Sequence, residues 1–263
     1  MGRVLFVSAG PGAADLITLR GARALAQADV VLFDALTDPA LRDMAPRAKW
    51  LDVGKRGFCH STKQTAINAA LVREAKAHEV VVRLKGGDAS VFGRLEEELL
   101  ALAEADIPYE IVPGVTAAIA AAAQTGRPLT RRGSGRSVAL TTAMTREGEL
   151  QAARSADTEV FYMAGQQLAA LSRRLVAAGW AADTPVSVVS RAGCADALAS
   201  EHEVGTLGAA AMLHQGRPTV VIVGAGAAPL GAPAGNLGDY ATASSRQTLE
   251  PGGPESLAQT LNV

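Results

Sequence analysis

The stretch "RLKGGDASVFGR" (83–94) places adjacent glycines and a carboxylate directly after an apolar run. Without side chains, Gly86 and Gly87 leave main-chain N–H and C=O groups bare, so a flat ring or a sulfonium tail can approach within van der Waals contact. Asp88 is then placed to accept from an ammonium or a ribose hydroxyl. The competing reading is a Gly-Gly-Asp turn that merely reverses the chain. "GRPLTRRGSGR" (126–136) is rich in arginine and glycine and has no hydrophobic period, as in a linker or a functional loop. His60, His78, His202 and His214 stand singly, and Cys59 and Cys194 have no metal-ligand spacing, so no metal site is expected.

The other glycine turns carry less. "SAGPGAAD" (8–15) supplies Gly10 and Gly12, but Asp15 occupies the third glycine position of a dinucleotide fingerprint. Asp34, ending the next apolar run, would be the ribose acid in that reading. A tight strand-to-helix turn explains the same residues. No phosphate-loop motif occurs, and "VGAGAAP" near the end of the patterned region reads as the end of a last strand.

These residues need elements to hold them. Short β-branched runs alternate with Ala/Leu-rich stretches: "RVLFVS", "DVVLFD", "WLDV", "EVVVRLK" and "YEIV" read as strands, with helices between. The alternation predicts an α/β fold with a mostly parallel sheet. A second series follows the Gly/Arg stretch, with strands "SVALTTA", "EVFYM", "PVSVVS" and "TVVIVG" and helices at "QQLAALSRRLVAAG" and near "LGAAAML". Both halves are expected to be α/β, with residues 1–114 and 115–227 as domains. Residues 228–263, dominated by Gly, Pro, Ala and Ser, are expected to form a flexible tail. A formal net charge of -1 favours neither nucleic acid nor a membrane surface as partner. No apolar run of about 18 residues is present, so no membrane span is expected. The paucity of cysteine and the immediate start of the first strand suggest a cytoplasmic protein without a leader.

Taken together, "SAGPGAADLITLRGARALAQADVVLFDAL", "VGKRG", "RLKGGDASVFGR", "IVPGVTAAIAAAAQTGRPLTRRG", "VFYM" and "RPTVVIVG" occur in the order and spacing of the tetrapyrrole methylases. The resemblance covers roughly residues 2–226. It implies a two-domain fold with a cleft between domains, S-adenosylmethionine bound folded in that cleft, no metal, and a homodimer. "VGKR" favours the members that methylate uroporphyrinogen III at C2 and C7, giving precorrin-2 by way of precorrin-1 for siroheme or cobalamin-type synthesis. By the same resemblance, Pro11, Gly86, Gly87, Asp88, Val91, Thr116, Ala117, Met163 and Ala192 fall at cofactor-binding positions. Arg94, Glu97 and Arg132 fall at positions that handle substrate. Glu97 and Asp34 are the candidates for the base that takes a pyrrole N–H proton. A substrate with eight carboxylates suits arginine forks, which gives Lys55, Arg56, Arg127, Arg131, Arg132 and Arg136 a reading beyond solvated surface.

The chain departs from the family pattern in places. Ala89 replaces the proline of GGDP, Leu95 and Glu96 replace two glycines after Arg94, Arg131 replaces a histidine, Ala143-Met144 replaces Gly-His, and Phe33 replaces a tyrosine. These keep open two alternatives to uroporphyrinogen III methylation: another tetrapyrrole as substrate, or a cofactor-binding homologue with little catalysis. A nucleotide-dependent oxidoreductase stands further off.

Overall fold

The computed structural model describes residues 2–34, 36–54, 64–144 and 149–230. Lys55, Arg56, Cys59, His60 and residues 231–263 of the expected tail lie outside the described residues. The first sheet contains β1 (Arg3–Ser8), β2 (Val30–Phe33), β3 (Lys49–Asp52), β4 (Val80–Lys85) and β5 (Tyr109–Val112). Its order is β3-β2-β4-β1-β5, and every pairing is parallel. The intervening helices are α1 (Leu19–Leu25), α2 (Gln64–Ala77) and α3 (Leu95–Glu104). The central strands are apolar on both faces because both faces are covered. Val4, Phe6 and Val81 pack with Ile67, Leu71 and Leu102 of α2 and α3. Leu5, Val7, Val82 and Leu84 pack on the other side with Leu25 and Leu41.

Between Val112 and Ala117 the chain passes to a second sheet. It contains β6 (Val138–Thr142), β7 (Thr158–Tyr162), β8 (Pro185–Ser190), β9 (Leu198–Glu203) and β10 (Thr219–Gly224). The order is β6-β7-β10-β8-β9; β6 and β7 are parallel and the other pairings are antiparallel. α4 (Ala117–Thr125) covers one face through Ala118, Ala120 and Ala121, and α5 (Leu168–Ala177) covers the other through Leu168, Leu171 and Leu175. Strand β9, "LASEHE", has no β-branched residue and is a largely exposed edge, so it carries no periodic signal; antiparallel pairing to β8 holds it extended. The helix expected near "LGAAAML" is a 3-10 helix, Val204–Ala211, in which Gly205 and Gly208 disfavour α-helix.

His214 lies fully buried behind β8. Its Nδ1 is 2.9 Å from Ser190 Oγ and its Nε2 is 2.8 Å from Ser200 Oγ. Ser200 Oγ also meets His202 Nε2 at 2.8 Å, and Arg217 Nε donates to Ser190 Oγ at 3.2 Å. Burial, then the nearby His202 and Arg217, hold the His214 pKa below its ordinary value. The unfolded chain therefore takes up this proton first as pH falls. Stability should decline below about pH 6.5 until the folded pKa is passed, then level off. Urea midpoints of the parent and His214→Gln across about pH 7.5 to 5 test this; the variant should show the shallower slope.

Candidate active site

The carboxyl ends of β1 and β4 open into a cavity of about 300 Å³, closed on the far side by the second sheet. Pro11, Gly86, Gly87, Asp88, Val91, Thr116, Ala117, Met163 and Ala192 all line it. The chain thus brings together, from separate turns, every residue expected at the cofactor. Ligands of open α/β sheets bind at this end of the strands.

The turn after β4 is fixed from several sides. Gly10 and Gly87 exchange backbone hydrogen bonds, Gly87 N to Gly10 O at 2.7 Å and Gly10 N to Gly87 O at 3.2 Å. Gly87 has φ 69°, and a Cβ there would project into open space, meeting no atom within 4 Å. Asp88 Oδ1 accepts from Ser90 N and Oδ2 from Gly114 N, each at 2.8 Å. Its carboxylate therefore ties the turn to the crossing segment as well as facing the cavity. Ala89 is buried and donates its N–H to Ser8 Oγ at 3.0 Å. A proline would lack that N–H, so this hydrogen bond replaces a fixed φ as the restraint.

The second sheet contributes through β7 and β8. Thr116 is the N-cap of α4 but makes no side-chain cap. Instead, the Tyr162 hydroxyl lies 2.7 Å from Thr116 Oγ1 and accepts from Ala118 N at 3.1 Å, so a phenol from β7 caps the helix. The two halves also meet at Gly12 and Gly193, where Ala13 N donates to Gly193 O at 2.8 Å.

Arg94 and Glu97 are not in the cavity. They line an adjoining groove along α3, together with Phe92, Leu95, Leu99 and Tyr109. Arg94 sits at the N-cap with φ 54°, and α3 begins at Leu95, as the Leu95-Glu96 replacement leads one to expect. Its guanidinium grips Glu97 at both oxygens, Nε–Oε1 and Nη2–Oε2 each 2.7 Å. The Glu97 hydrogen bond keeps Arg94 charged to higher pH than an ordinary arginine.

Asp34 stands apart from the cavity. It lies outside the lining and is held by Arg83, Nη2 to Oδ1 at 2.7 Å. Arg83 also binds Glu98 through Nε at 3.0 Å and Nη2 at 3.1 Å, while Lys85 Nζ binds Glu98 Oε1 at 2.9 Å. This buried cluster sits under the start of the glycine turn. Burial opposes the Arg83 charge, but Asp34 and Glu98 outweigh it and raise its pKa. Burial, then Arg83, lower the pKa of Lys85.

Arg132 is likewise not brought to the cavity within the chain. The Arg131–Gly135 turn lies against Ala225 and Ala228, beyond Gly224 at the end of β10. The cavity touches β10 at Thr219 and Val220. At about 3.4 Å per residue, roughly 17 Å separates the two ends of this strand. Arg131 shares that location, Ala143 is core, and Phe33 stacks edge-on against Trp50, so these departures from the family pattern do not touch the cavity. The sequence pattern does not single out Leu36, Phe92, Tyr162, Arg191 or the Pro218–Val220 start of β10, which also line the cavity. Strand order decides their place. Among the described residues no cluster of His, Cys, Asp and Glu is arranged to hold a metal ion, and no helix is long and apolar enough to cross a membrane.

Residues 3–211 match the family model for tetrapyrrole (corrin/porphyrin) methylases. A uroporphyrinogen-III C-methyltransferase from Pseudomonas aeruginosa is 45% identical over 195 residues, covering 73% of this chain and 80% of that protein. A siroheme synthase from Yersinia pseudotuberculosis is 43% identical over 229 residues, covering 85% of this chain but 48% of that protein, so the chain spans about half the length of such relatives. The crystal structure of uroporphyrin-III C-methyltransferase from Thermus thermophilus complexed with S-adenosylhomocysteine superposes with a TM-score of 0.75 at 34% identity, covering 85% of this chain and 97% of that one. The chain belongs to the tetrapyrrole methylase family.

Proposed function

We propose that the protein methylates uroporphyrinogen III from S-adenosylmethionine, at C2 and then C7, yielding precorrin-2 by way of precorrin-1. The observation that carries this reading is the convergence of Pro11, Gly86–Asp88, Val91, Thr116–Ala117, Met163 and Ala192 on one cavity with a bare glycine edge. That edge fits a bent nucleotide, because Gly87 leaves open the room a side chain would take. The named relatives support both donor and acceptor. A homodimer and a cytoplasmic setting go with the same reading.

S-adenosylmethionine, when bound, supplies an electrophilic methyl group on a sulfonium. A pyrrole β-carbon of the acceptor takes that methyl, the C–S electron pair returns to sulfur, and the ring N–H proton leaves. The protein's task is to align the reactants and exclude water. Gly86 and Gly87 leave an edge free of side chains for the donor to lie against, and Thr116 and Ala117 bound it from the start of α4. Glu97, on the acceptor side, takes the pyrrole proton. Arg94, held across it, keeps that carboxylate aimed along the groove. Asp34 lines neither the cavity nor the groove, so Glu97 is the better-placed base of the two.

Purified protein incubated anaerobically with S-adenosylmethionine and uroporphyrinogen III should yield a dimethylated product that oxidises to sirohydrochlorin. Binding of S-adenosylhomocysteine without turnover of this acceptor would refute the substrate assignment and favour another tetrapyrrole.

A further inference from the structure

Phe92 stands where the two concavities meet. It lines the cavity with Val91, Tyr162 and Met163, and it also lines the groove with Arg94 and Leu95. Among the described residues it alone belongs to both. Its ring packs on Tyr162 with centroids 5.0 Å apart and planes at 55°, so an aromatic from the turn after β4 and one from β7 together form the wall between cavity and groove. The residue is nonetheless 42% exposed.

Its backbone makes the side chain conspicuous. Phe92 has φ 52°, a left-handed conformation that glycine adopts without strain and a bulky residue does not. The neighbouring glycine is required for packing instead, since a Cβ on Gly93 would come within 2.5 Å of the Ala89 carbonyl oxygen. Among the described non-glycine residues with positive φ, Phe92, Arg94, Met163 and Arg191 all border the cavity or the groove; Asp106 is the exception. Strain kept at such positions is retained for what the side chain does.

We propose that Phe92 is the face on which the acceptor's pyrrole ring rests as it meets the methyl donor. This deepens the methyl-transfer reading above and rests on it. Arg94 and Glu97 satisfy each other, so the groove beside Phe92 offers a ring an apolar surface of Phe92, Leu95, Leu99 and Tyr109. A single pyrrole ring of the acceptor, flat and electron-rich, packs on such a ring in an offset or tilted stack. Phe92 thereby sets the distance and angle at which a pyrrole carbon approaches the sulfonium, a geometry in which about 1 Å of misplacement costs roughly a hundredfold in rate.

Phe92→Gly removes the ring and the backbone strain together, which separates function from folding. The thermal midpoint should stay within about 3 °C of the parent or rise, since the lost partly exposed contact is offset by relief at φ. Because Phe92 also lines the donor cavity, the Kd for S-adenosylhomocysteine, by calorimetry, should rise somewhat, but kcat/KM for uroporphyrinogen III should fall at least about tenfold further than that affinity does. Phe92→Tyr should recover most of the activity. A variant with kcat/KM within about twofold of an active parent would overturn the proposal alone, as would a loss of S-adenosylhomocysteine affinity in step with activity. A parent that binds S-adenosylhomocysteine yet never methylates uroporphyrinogen III would overturn the methyl-transfer reading, and this proposal with it.

Discussion

Glu98→Ala should destabilise the protein by about 3–5 kcal/mol, the largest single effect expected among these side chains. Glu98 is fully buried and accepts from Arg83, Lys85 and Gln64. Its removal leaves two buried cations facing Asp34, which is 30% exposed and bonded to Arg83. A cation buried without a partner cannot recover its hydration, so the loss exceeds the value of the pair itself. Against a typical total stability of about 5–15 kcal/mol, the urea midpoint should move far enough to be unmistakable. Glu98→Gln, which keeps an acceptor oxygen, should fall between parent and alanine. The triple variant Arg83→Leu, Lys85→Met, Glu98→Leu should recover most of the loss, because apolar side chains of similar size remove the desolvation penalty. A drop under about 1 kcal/mol for Glu98→Ala would mean that water reaches the cluster.

Gly12→Ala should loosen the cavity proposed for the nucleotide, with little effect on either core. An added Cβ would lie 2.4 Å from the Gly193 carbonyl carbon, 2.5 Å from its oxygen and 2.7 Å from Cys194 N. All three are backbone atoms, so no side chain can swing aside. The turn after β1 and the Arg191–Cys194 turn must separate, breaking the Ala13 N–Gly193 O hydrogen bond. Pro11 and Ala192 would then draw apart across the cavity they line. Losing that bond and its alignment is worth about 1–3 kcal/mol, or roughly five- to 150-fold in affinity for S-adenosylhomocysteine. Calorimetry with this nucleotide measures it directly. Unchanged affinity would show that the two turns bind it without being held together. Gly87→Ala offers a contrast: its Cβ meets no protein atom, so its cost to the fold would come from φ alone, while the methyl would take room proposed for the nucleotide.

The chemistry of the proposed donor site is local, and for that reason legible. Gly86, Gly87 and Asp88 act through one turn after one buried strand, and Thr116-Ala117 through one helix start, so a contiguous string of residue types specifies each. The first sheet is equally readable, because parallel strands covered on both faces are continuous apolar runs. Strand β9 escapes notice because its extended form comes from pairing with β8 and not from its own residues.

The order of residues along the chain therefore specifies the α/β alternation, the family pattern and nine of the residues found around one cavity. How distant pieces meet is settled only in three dimensions. Asp34 looks free at the end of β2, but the order β2-β4 sets it against Arg83 in an ion pair outside the cavity lining. Arg132 looks like part of the pocket, yet α4 carries the chain the length of the second sheet before Arg132 is reached. Phe92 and Tyr162, distant along the chain, stack because two sheets end at the same place. Turn chemistry depends on neighbours along the chain, whereas charge pairing and cavity walls depend on strand order, which no local pattern encodes.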